Sequence, residues 1–233
     1  MLEKIKLKLP GEDNFLVTEA YKVLRTNIQF CGQDVKVIAF TSCNENEGKT
    51  TVTLHVARSF EELGKKVLVI DADMRKSVMA GRNTNVRDAE GLSEVLTGLS
   101  DINDCLLRTG NSMQLLLSGK YPPNPVELLD GVYFKNLIEN ARKQYDYVFI
   151  DTPPLGPVID AAVIAKNCDG VVLVLGDDKL SFRQAKNVVD QLRKTGCKIL
   201  GAVRNNVNLK RKSPYYYSKR KAKSYYYSSK EEE

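Results

Sequence analysis

The amino-acid sequence predicts an α/β fold in which helices cover both faces of a mostly parallel central sheet. Short apolar segments alternate with amphipathic segments along the chain, as they do in repeated strand–helix–strand units. Apolar runs such as 67–70 and 170–175 lack polar alternation, which favours strands that are buried on both faces. At 233 residues, the chain is long enough for one such domain with a sizeable core.

Helices are predicted where apolar residues recur every three or four positions. The first covers 13–30, and the second covers 47–63 and ends at Gly64, a residue type that often terminates helices. A later helix begins at Pro125, because proline is tolerated in the first helical turn. In full, the predicted helices cover 13–30, 47–63, 92–99, 125–143, 158–166 and 181–194.

Strands are predicted where short apolar runs stand between turn residues. They cover 35–41, 66–70, 113–117, 147–150, 170–175 and 199–203. Residues 74–112 are polar and are expected to be irregular apart from the short helix at 92–99. Because ligands of parallel sheets bind beyond the carboxyl ends of the strands, we expect a functional site at that edge.

The composition changes after residue 206, where the folded domain (1–206) is predicted to end. Residues 207–233 hold eight Lys or Arg and three Glu, so they carry +5 of the net charge of +6. With almost no aliphatic residues, they cannot offset their ordering entropy by burial, and we expect a disordered, basic, tyrosine-rich tail. The nearly neutral remainder argues against nucleic-acid binding.

Neither a membrane span nor a targeting segment is expected. The sequence has no run of 18 or more apolar residues, and its charged N-terminus lacks the apolar stretch of a signal peptide. The five cysteines are scattered without metal-binding spacing, which favours reduced thiols, and His55 is expected to have a packing or surface role. A cytoplasmic protein is therefore predicted.

A phosphate-binding loop at 41–51 is the strongest motif. It reads Thr-Ser-Cys-Asn-Glu-Asn-Glu-Gly-Lys-Thr-Thr, follows a predicted strand and opens a predicted helix. In such loops, backbone N–H groups converge on the β- and γ-phosphates of a nucleotide. Lys49 adds positive charge, and the Thr50 hydroxyl can ligate Mg²⁺. The predicted nucleotide-binding residues of the loop are Glu47, Gly48, Lys49, Thr50 and Thr51.

The loop departs from the usual pattern. Cys43 stands where the first glycine is usual, and Asn46 can adopt the left-handed conformation that a glycine often supplies. The backbone donors remain, so the loop still predicts a P-loop NTPase-like fold.

Carboxylates end two of the predicted strands. Asp71 and Asp73 follow 66–70, and Asp151 follows 147–150. In a parallel sheet, these residues and the phosphate loop would meet at one edge. Phosphoryl transfer depends mainly on positioning and charge neutralisation, so a cation, a metal ion and a carboxylate near the acceptor would suffice.

Together, these motifs resemble those of the bacterial tyrosine kinase family, the P-loop kinases that accompany capsule and exopolysaccharide synthesis. The resemblance covers nearly the whole chain and rests on five features: the phosphate loop, Asp-x-Asp-x-Arg at 71–75, Pro-Pro-Asn-Pro-x-Glu-Leu-Leu at 122–129, Asp-x-x-Pro at 151–154 and the tyrosine-rich tail. It implies an ATP- and Mg²⁺-dependent protein tyrosine kinase that phosphorylates its own tail and regulates polysaccharide synthesis and export.

The resemblance also implies roles for the residues at the sheet edge. Lys49 and Thr50 would contact phosphate and Mg²⁺. Asp73 and Asp151 would hold the metal directly or through water. Asp71 would accept the phenolic proton, although Asp71 and Asp73 could exchange roles.

Two further sites are implied. Asn205, just past the last predicted strand, aligns with the adenine-recognising asparagine of related P-loop proteins. The family's Glu-x-x-Arg-x-x-Arg motif, which is tied to ring-like self-association, reads Glu19 to Arg25 here, so Glu19, Lys22 and Arg25 are predicted interface residues. Lys22 keeps the charge of the first arginine but loses its bidentate fork. The alternative is a solvated helix face with i,i+3 pairing.

The tail supplies the predicted phosphoacceptors, which are Tyr215, Tyr216, Tyr217, Tyr225, Tyr226 and Tyr227. A tyrosine in a flexible segment can enter an active site, whereas a core tyrosine cannot. In a ring, one subunit's tail would enter its neighbour's site, and each phosphate would add about −1.5 to −2 charge, which disfavours the ring. The alternative is a basic aromatic tail that binds anionic lipid or polymer.

The resemblance implies three kinds of partner. A membrane-anchored polysaccharide co-polymerase would activate the kinase and hold it at the inner face of the membrane. Further copies of the chain would form the ring, and sugar-nucleotide-modifying enzymes would be among the protein substrates.

Two other functions remain open. A switch-type ATPase on the same fold would carry a second lysine five residues before Lys49, but that position is Asn44. ATP turnover without phosphotyrosine would indicate such an ATPase. A nucleotide-gated scaffold of the polysaccharide machinery would keep its function without Lys49.

Overall fold

The structure is a computed structural model that describes residues 5–86, 88–110, 112–176 and 181–207. Within these ranges, the strands are β1 Val37–Ser42, β2 Val67–Asp71, β3 Leu106–Arg108, β4 Met113–Leu116, β5 Tyr147–Asp151, β6 Gly170–Gly176 and β7 Ile199–Asn205. The helices are α1 Phe15–Gln29, α2 Lys49–Glu61, α3 Leu92–Thr97, α4 Ile102–Cys105, α5 Pro125–Asp130, α6 Val132–Gln144, α7 Asp160–Ala165 and α8 Phe182–Lys194, and a π-helical turn covers Met79–Asn83.

The strands form one sheet in the order β3-β4-β2-β5-β1-β6-β7. All neighbouring pairs are parallel except β3 and β4, which pair antiparallel at one edge. The phosphate loop and both Asp-containing segments follow the central strands β1, β2 and β5. The predicted fold class, a mostly parallel sheet between helices, is therefore confirmed.

Two apolar clusters lie on opposite faces of the sheet. Successive residues of β1 alternate between them, with Val37 and Ala39 in one cluster and Ile38 and Phe40 in the other. Helices α1 and α2 cover the face of Phe40, and α3 and α5 to α8 cover the opposite face. All six residues of β1 are buried, which explains the unbroken apolar run from Val37 to Phe40.

An aromatic group joins α2 to the sheet. The Phe149 ring lies 5.9 Å from that of Phe40 and 5.4 Å from that of Phe60, measured between ring centroids. Full burial of one such side chain contributes about 1.5–3 kcal/mol to folding. These contacts fix the axis of α2, and with it the position of the phosphate loop that precedes the helix.

The prediction of one helix over 125–143 was wrong. The structure has two helices, α5 and α6, because Gly131 between them has an extended backbone with φ −75° and ψ 162°. A Cβ at this position would lie 3.2 Å from the carbonyl oxygens of Glu127 and Leu128. The chain thus turns sharply at a residue with low helix propensity.

The expectation of an irregular segment over 74–112 was also wrong in part. The π-helical turn, α4 and β3 all lie within it. β3 has only two consecutive leucines, and it depends on pairing with β4, where Leu106 faces Leu116. A strand this short carries little periodic signal of its own.

The N-terminal segment packs along the domain before α1 begins. Its Ile5 N–H donates to the Arg108 carbonyl over 2.9 Å, and its Lys8 N–H donates to the Asn83 carbonyl over 2.7 Å. The Asn83 side-chain amide donates back to the Lys8 carbonyl over 3.0 Å. These bonds tie the segment to the edge strand β3 and to the π-helical turn.

His55 has the predicted packing role. Its ring stacks on Tyr21 of α1 with 4.3 Å between centroids, and its Nε2 lies 3.0 Å from the Pro10 carbonyl. Burial lowers the pKa of this imidazole, and the hydrogen bond to Pro10 opposes that shift. Burial therefore favours neutral His55, and the stack on Tyr21 joins α1 to α2.

Across the described ranges, none of the helices combines the length and apolarity needed to cross a membrane. Residues 208–233, which include all six predicted phosphoacceptors, lie outside the described residues. The domain boundary at 206 and the role of the tail therefore stay predictions.

Candidate active site

The phosphate loop connects β1 to α2 at the carboxyl edge of the sheet. Asn46 has φ 61°, the left-handed conformation predicted for it, and Gly48 has φ 87° at the N-terminus of α2. A Cβ at Gly48 would overlap the side-chain amide of Asn205. Glycine is therefore required at position 48 by both its backbone conformation and its neighbour.

Glu47 braces the loop from within. Its carboxylate accepts hydrogen bonds from the backbone N–H groups of Cys43 and Asn44, over 2.9 and 3.0 Å. The Glu47 side chain is buried, and its carbonyl accepts a hydrogen bond from Asn205 Nδ2 over 3.0 Å. These bonds hold the loop in shape although Cys43 replaces the usual glycine.

Asn205 is the last residue of β7. The sequence had indicated a position just past the end of this strand, and that prediction was wrong. The strand extends further because its residues pair with β6 up to the Asn205–Gly176 position. This extension brings the Asn205 amide directly against Glu47 and Gly48 of the phosphate loop.

Thr50 and Asp151 meet at the start of α2. The Thr50 hydroxyl donates to Asp151 Oδ2 over 2.5 Å. The other oxygen, Asp151 Oδ1, is buried and has no hydrogen-bond partner among the residues that the structure describes. The Lys49 side chain is 8% exposed in the same region.

The register of β2 and β5 places Asp71 beside Asp151. The Ser77 hydroxyl donates to Asp71 Oδ2, and the Asp73 N–H donates to Asp71 Oδ1 over 3.2 Å. Both oxygens of the buried Asp71 are thus engaged by its own loop. Asp73 instead lines an open cleft, with Oδ1 accepting from the Lys76 N–H over 3.0 Å.

The three carboxyl groups have raised pKa values. Burial raises the pKa of Asp71 well above its ordinary value, the charge of Asp151 adds to this, and the Ser77 hydrogen bond opposes it. Burial raises the pKa of Asp151 to about 7, against the effects of Lys49 and Thr50. Burial also raises the pKa of Asp73. Because burial is the main cause of all three shifts, a cation bound at this edge would stabilise the ionised forms of these carboxyl groups.

The donor set suits Mg²⁺. The described residues contain no group of three or more His, Cys, Asp and Glu side chains placed to hold a metal ion. Mg²⁺ does not need one, because it usually takes one or two protein oxygens and fills its other positions with phosphates and water. The Thr50 hydroxyl, Asp73 and Asp151 Oδ1, which no described residue engages, fit that pattern.

A cleft of about 170 Å³ opens beside the loop. An exposed ion pair borders it, with Lys76 Nζ 2.6 Å from a carboxylate oxygen of Glu45. The walls of the cleft come from three parts of the chain. The phosphate loop and the segment after β2 contribute polar and charged residues, and the segment after β5 contributes prolines. These lining residues include Asn46, Gly48, Lys49, Thr50, Thr51, Asp73, Arg75, Pro153, Pro154 and Pro157.

Sequence reasoning missed one pair at this cleft. Arg75 Nε donates to Asp160 Oδ1 over 2.8 Å, and the Asp160 side chain is almost fully buried. Arg75 belongs to a recognised motif, but nothing in the local pattern around Asp160 identifies it as a buried partner 85 positions away. Only the fold brings the two residues together.

The predicted interface residues lie on α1 with partners in the same chain. Lys22 Nζ is 2.7 Å from a Glu19 carboxylate oxygen, an i,i+3 pair. Arg25 Nη1 donates to the Ser59 carbonyl of α2 over 2.6 Å. The helix therefore has the i,i+3 ion pair that was expected if this were simply a solvated helix face. Self-association through these residues stays a prediction.

Comparison with known proteins places this site in context. A family model described as AAA domain matches residues 35–199. Tyrosine-protein kinase CpsD of Streptococcus agalactiae is 41% identical over 191 residues, which cover 82% of this chain and 83% of that protein. Tyrosine-protein kinase wzc of Salmonella typhi is 31% identical over 203 residues, which cover 84% of this chain and 28% of that protein. The solved kinase domain of Escherichia coli tyrosine kinase ETK is 31% identical with a TM-score of 0.79, covering 85% of this chain and 78% of that chain.

Proposed function

The chain belongs to the bacterial tyrosine kinase family and is a protein-tyrosine kinase, and on this basis we propose that the cleft beside the phosphate loop transfers phosphate from Mg·ATP to tyrosine. The observation that carries the proposal is the 2.5 Å contact of Thr50 with Asp151, whose other oxygen is free to meet a cation. This arrangement combines a helix N-terminus, a lysine and a hard-metal donor set at one point.

The nucleotide phosphates bind at the loop and the first turn of α2. Backbone N–H groups there have no helical partner, and the partial positive charge of the helix N-terminus favours anions. Lys49 adds a full charge beside them, while Gly48 allows close approach of the backbone. Asn205 lies against the loop at Glu47, which supports a role in placing the nucleoside part of ATP.

Thr50 and Asp151 would hold Mg²⁺ directly, and Asp73 would contact it only through a water molecule, which leaves the Asp73 carboxylate able to accept a proton. The ion supplies charge neutralisation on the phosphate oxygens. Its charge would also stabilise the ionised forms of Asp71, Asp73 and Asp151, against the burial that raises their pKa values.

In the transfer, the bond from the γ-phosphorus to the β–γ bridging oxygen breaks and ADP leaves. A new bond forms between that phosphorus and the phenolic oxygen, and the phenolic proton passes to a carboxylate. The family resemblance assigned this role to Asp71, with Asp73 as the alternative. The position of Asp73 in the cleft supports Asp73 as the base, with Asp71 holding the loop that carries it.

The tail tyrosines are the phosphoacceptors, and transfer occurs in trans between subunits. Support comes from the sequence, in which six of the eleven tyrosines fall in 215–227 among basic residues. Basic neighbours can pair with the phosphates once these are added.

Self-association uses the surface of α1 that carries Glu19, Lys22 and Arg25. This helix also exposes Val23, and Phe30 at its C-terminal end is 82% exposed. Apolar residues next to a charged row are typical of a contact surface. Phosphorylated tails would add negative charge and weaken such an assembly.

A membrane-anchored polysaccharide co-polymerase completes the system and places the kinase at the inner face of the membrane. The match to wzc covers 28% of that protein's length, so wzc contains segments beyond the kinase-like part, and such segments are a model for the proposed partner. Through it, the kinase regulates capsular or exopolysaccharide synthesis and export, with sugar-nucleotide enzymes among its substrates.

The test compares ATP consumption with phosphotyrosine formation in one sample of purified protein with Mg²⁺. A kinase yields close to one phosphotyrosine per ATP consumed until its acceptors are filled. Continued ATP hydrolysis without phosphotyrosine would contradict the proposal and indicate a switch-type ATPase. Omitting Mg²⁺ should stop both.

A further inference from the structure

An ion pair joins two walls of the cleft. Arg75 stands four residues after the end of β2, and Asp160 is the first residue of α7, at the end of the segment that follows β5. Both walls contribute to the cleft, through Asp73 and Arg75 on one side and Pro153 and its neighbours on the other. The 2.8 Å contact of Arg75 Nε with Asp160 Oδ1 therefore joins the segment after β2 to the end of the segment after β5.

The two partners differ in exposure. The Asp160 side chain is 1% exposed and that of Arg75 is 32% exposed. Asp160 Oδ2 is buried and has no hydrogen-bond partner within the described parts of the chain. A buried carboxylate is costly without a cation against it, so Asp160 holds the guanidinium firmly in one place.

The contact leaves most of the guanidinium free. Only Nε of Arg75 bonds to Asp160, and among the described residues its two terminal nitrogens have no hydrogen-bond partner. Arg75 lines the same cleft as Lys49 and Thr50. A planar guanidinium with free terminal nitrogens can bind two phosphoryl oxygens at once, which a lysine cannot do.

We propose that Asp160 is a positioning residue that holds Arg75 so that its terminal nitrogens bind the phosphoryl group during transfer. The inference rests on the proposed assignment of this cleft as the kinase site. As the bond to ADP breaks and the bond to the phenolic oxygen forms, negative charge lies on the three equatorial oxygens of the phosphoryl group. A prepositioned arginine stabilises that charge without any reorganisation at the moment of reaction.

The experiment measures kcat and nucleotide affinity separately in Asp160→Asn, Arg75→Ala and the double variant. Asp160→Asn keeps the shape but removes the charge that orients Arg75, so kcat should fall roughly ten- to hundredfold. Arg75→Ala should lower kcat by at least about a hundredfold. The dissociation constant for a non-hydrolysable Mg·ATP analogue should change little in either, because the contact strengthens during transfer.

The double variant separates positioning from a structural effect. If Asp160 acts through Arg75, adding Asp160→Asn to Arg75→Ala should lower kcat no further. An additive loss would overturn the inference, as would a wild-type kcat in Asp160→Asn. If Asp160→Asn fails to fold, Arg75→Lys takes its place. Lysine keeps a positive charge near Asp160 but lacks the two terminal guanidinium nitrogens. A wild-type kcat in Arg75→Lys would overturn the inference.

The matched control is Asp169→Asn. Asp169 forms a comparable pair with Arg142 over 2.6 Å and accepts the backbone N–H groups of Lys36 and Val37, away from the cleft. This variant should lower thermal stability but leave kcat per folded protein unchanged. If the wild-type protein failed to bind the Mg·ATP analogue, the proposed function itself would be contradicted. If the wild-type protein bound the analogue normally and Asp160→Asn had a wild-type kcat, only the positioning role of Asp160 would be contradicted.

Discussion

The Thr50 hydroxyl lies 2.5 Å from the Asp151 carboxylate, although 101 positions separate the two residues in the chain. The contact links the first turn of α2 to the end of β5. It exists because β1 and β5 are parallel neighbours whose carboxyl ends meet at the same edge. The proposed metal site thus follows directly from the topology of the sheet.

Removing the Thr50 hydroxyl should abolish Mg²⁺-dependent phosphorylation. Thr50→Ala deletes one proposed metal ligand and the hydrogen bond to Asp151, whereas Thr50→Ser keeps both. The measurement is phosphotyrosine formation as a function of Mg²⁺ concentration. Thr50→Ser should stay near the wild-type curve, and equal activity of the Ala and Ser variants would rule out metal binding through this hydroxyl.

Substitution of Asp71, the last residue of β2, and substitution of Asp73, two residues later, should differ in their effect on kcat. Asp73→Asn should lower kcat by about 10²–10⁴-fold, the usual contribution of a general base. Asp71→Asn should have a smaller effect, because Asp71 lies behind the cleft and acts through the loop. Single-turnover kinetics with ATP and an acceptor peptide measures both. The reverse order of effects would assign the base to Asp71.

Gly48→Ala should destabilise the domain and prevent nucleotide binding. Alanine at φ 87° is strained by about 1 kcal/mol or more, and its Cβ would also overlap the Asn205 amide. Gly64→Ala is the control, since Gly64 has φ 74° but nothing within 4 Å of a Cβ. Chemical unfolding should show a larger loss for Gly48→Ala, and equal losses would exclude the overlap as a cause.

Phosphorylation of the tail should occur between subunits. A Lys49→Met chain with an intact tail is mixed with an active chain that ends at residue 207, and phosphate on each is identified by mass. The trans proposal expects phosphotyrosine on the Lys49→Met chain. An unmodified Lys49→Met chain, beside an active partner that phosphorylates an added peptide, would show that transfer occurs within one chain.

The central part of the fold was predictable because its signals are local. Strands β1, β2 and β5 are short apolar runs that end in the phosphate loop or in aspartate, so their order and shared edge indicated which residues would meet. The facing positions of Asp71 and Asp151 bear this out. The left-handed Asn46 was likewise predictable from its place in the loop.

The remaining features depend on contacts between distant residues. No local pattern marks Asp160 as the buried partner of Arg75, or the Glu47 carboxylate as a brace for the backbone of Cys43 and Asn44. The break at Gly131 was missed because apolar spacing continues across it. Strand β3 was missed because only its pairing with β4 defines it.

The most direct test of the central claim is mass spectrometry of the purified protein after incubation with Mg·ATP, with wild type beside Lys49→Met. The control is Lys143→Met, which removes an exposed lysine from α6, far from the phosphate loop. We predict phosphate on tyrosines of 215–217 or 225–227 in wild type and Lys143→Met, and none in Lys49→Met. Equal phosphorylation of all three proteins, or its absence from all three despite ATP binding, would contradict the account.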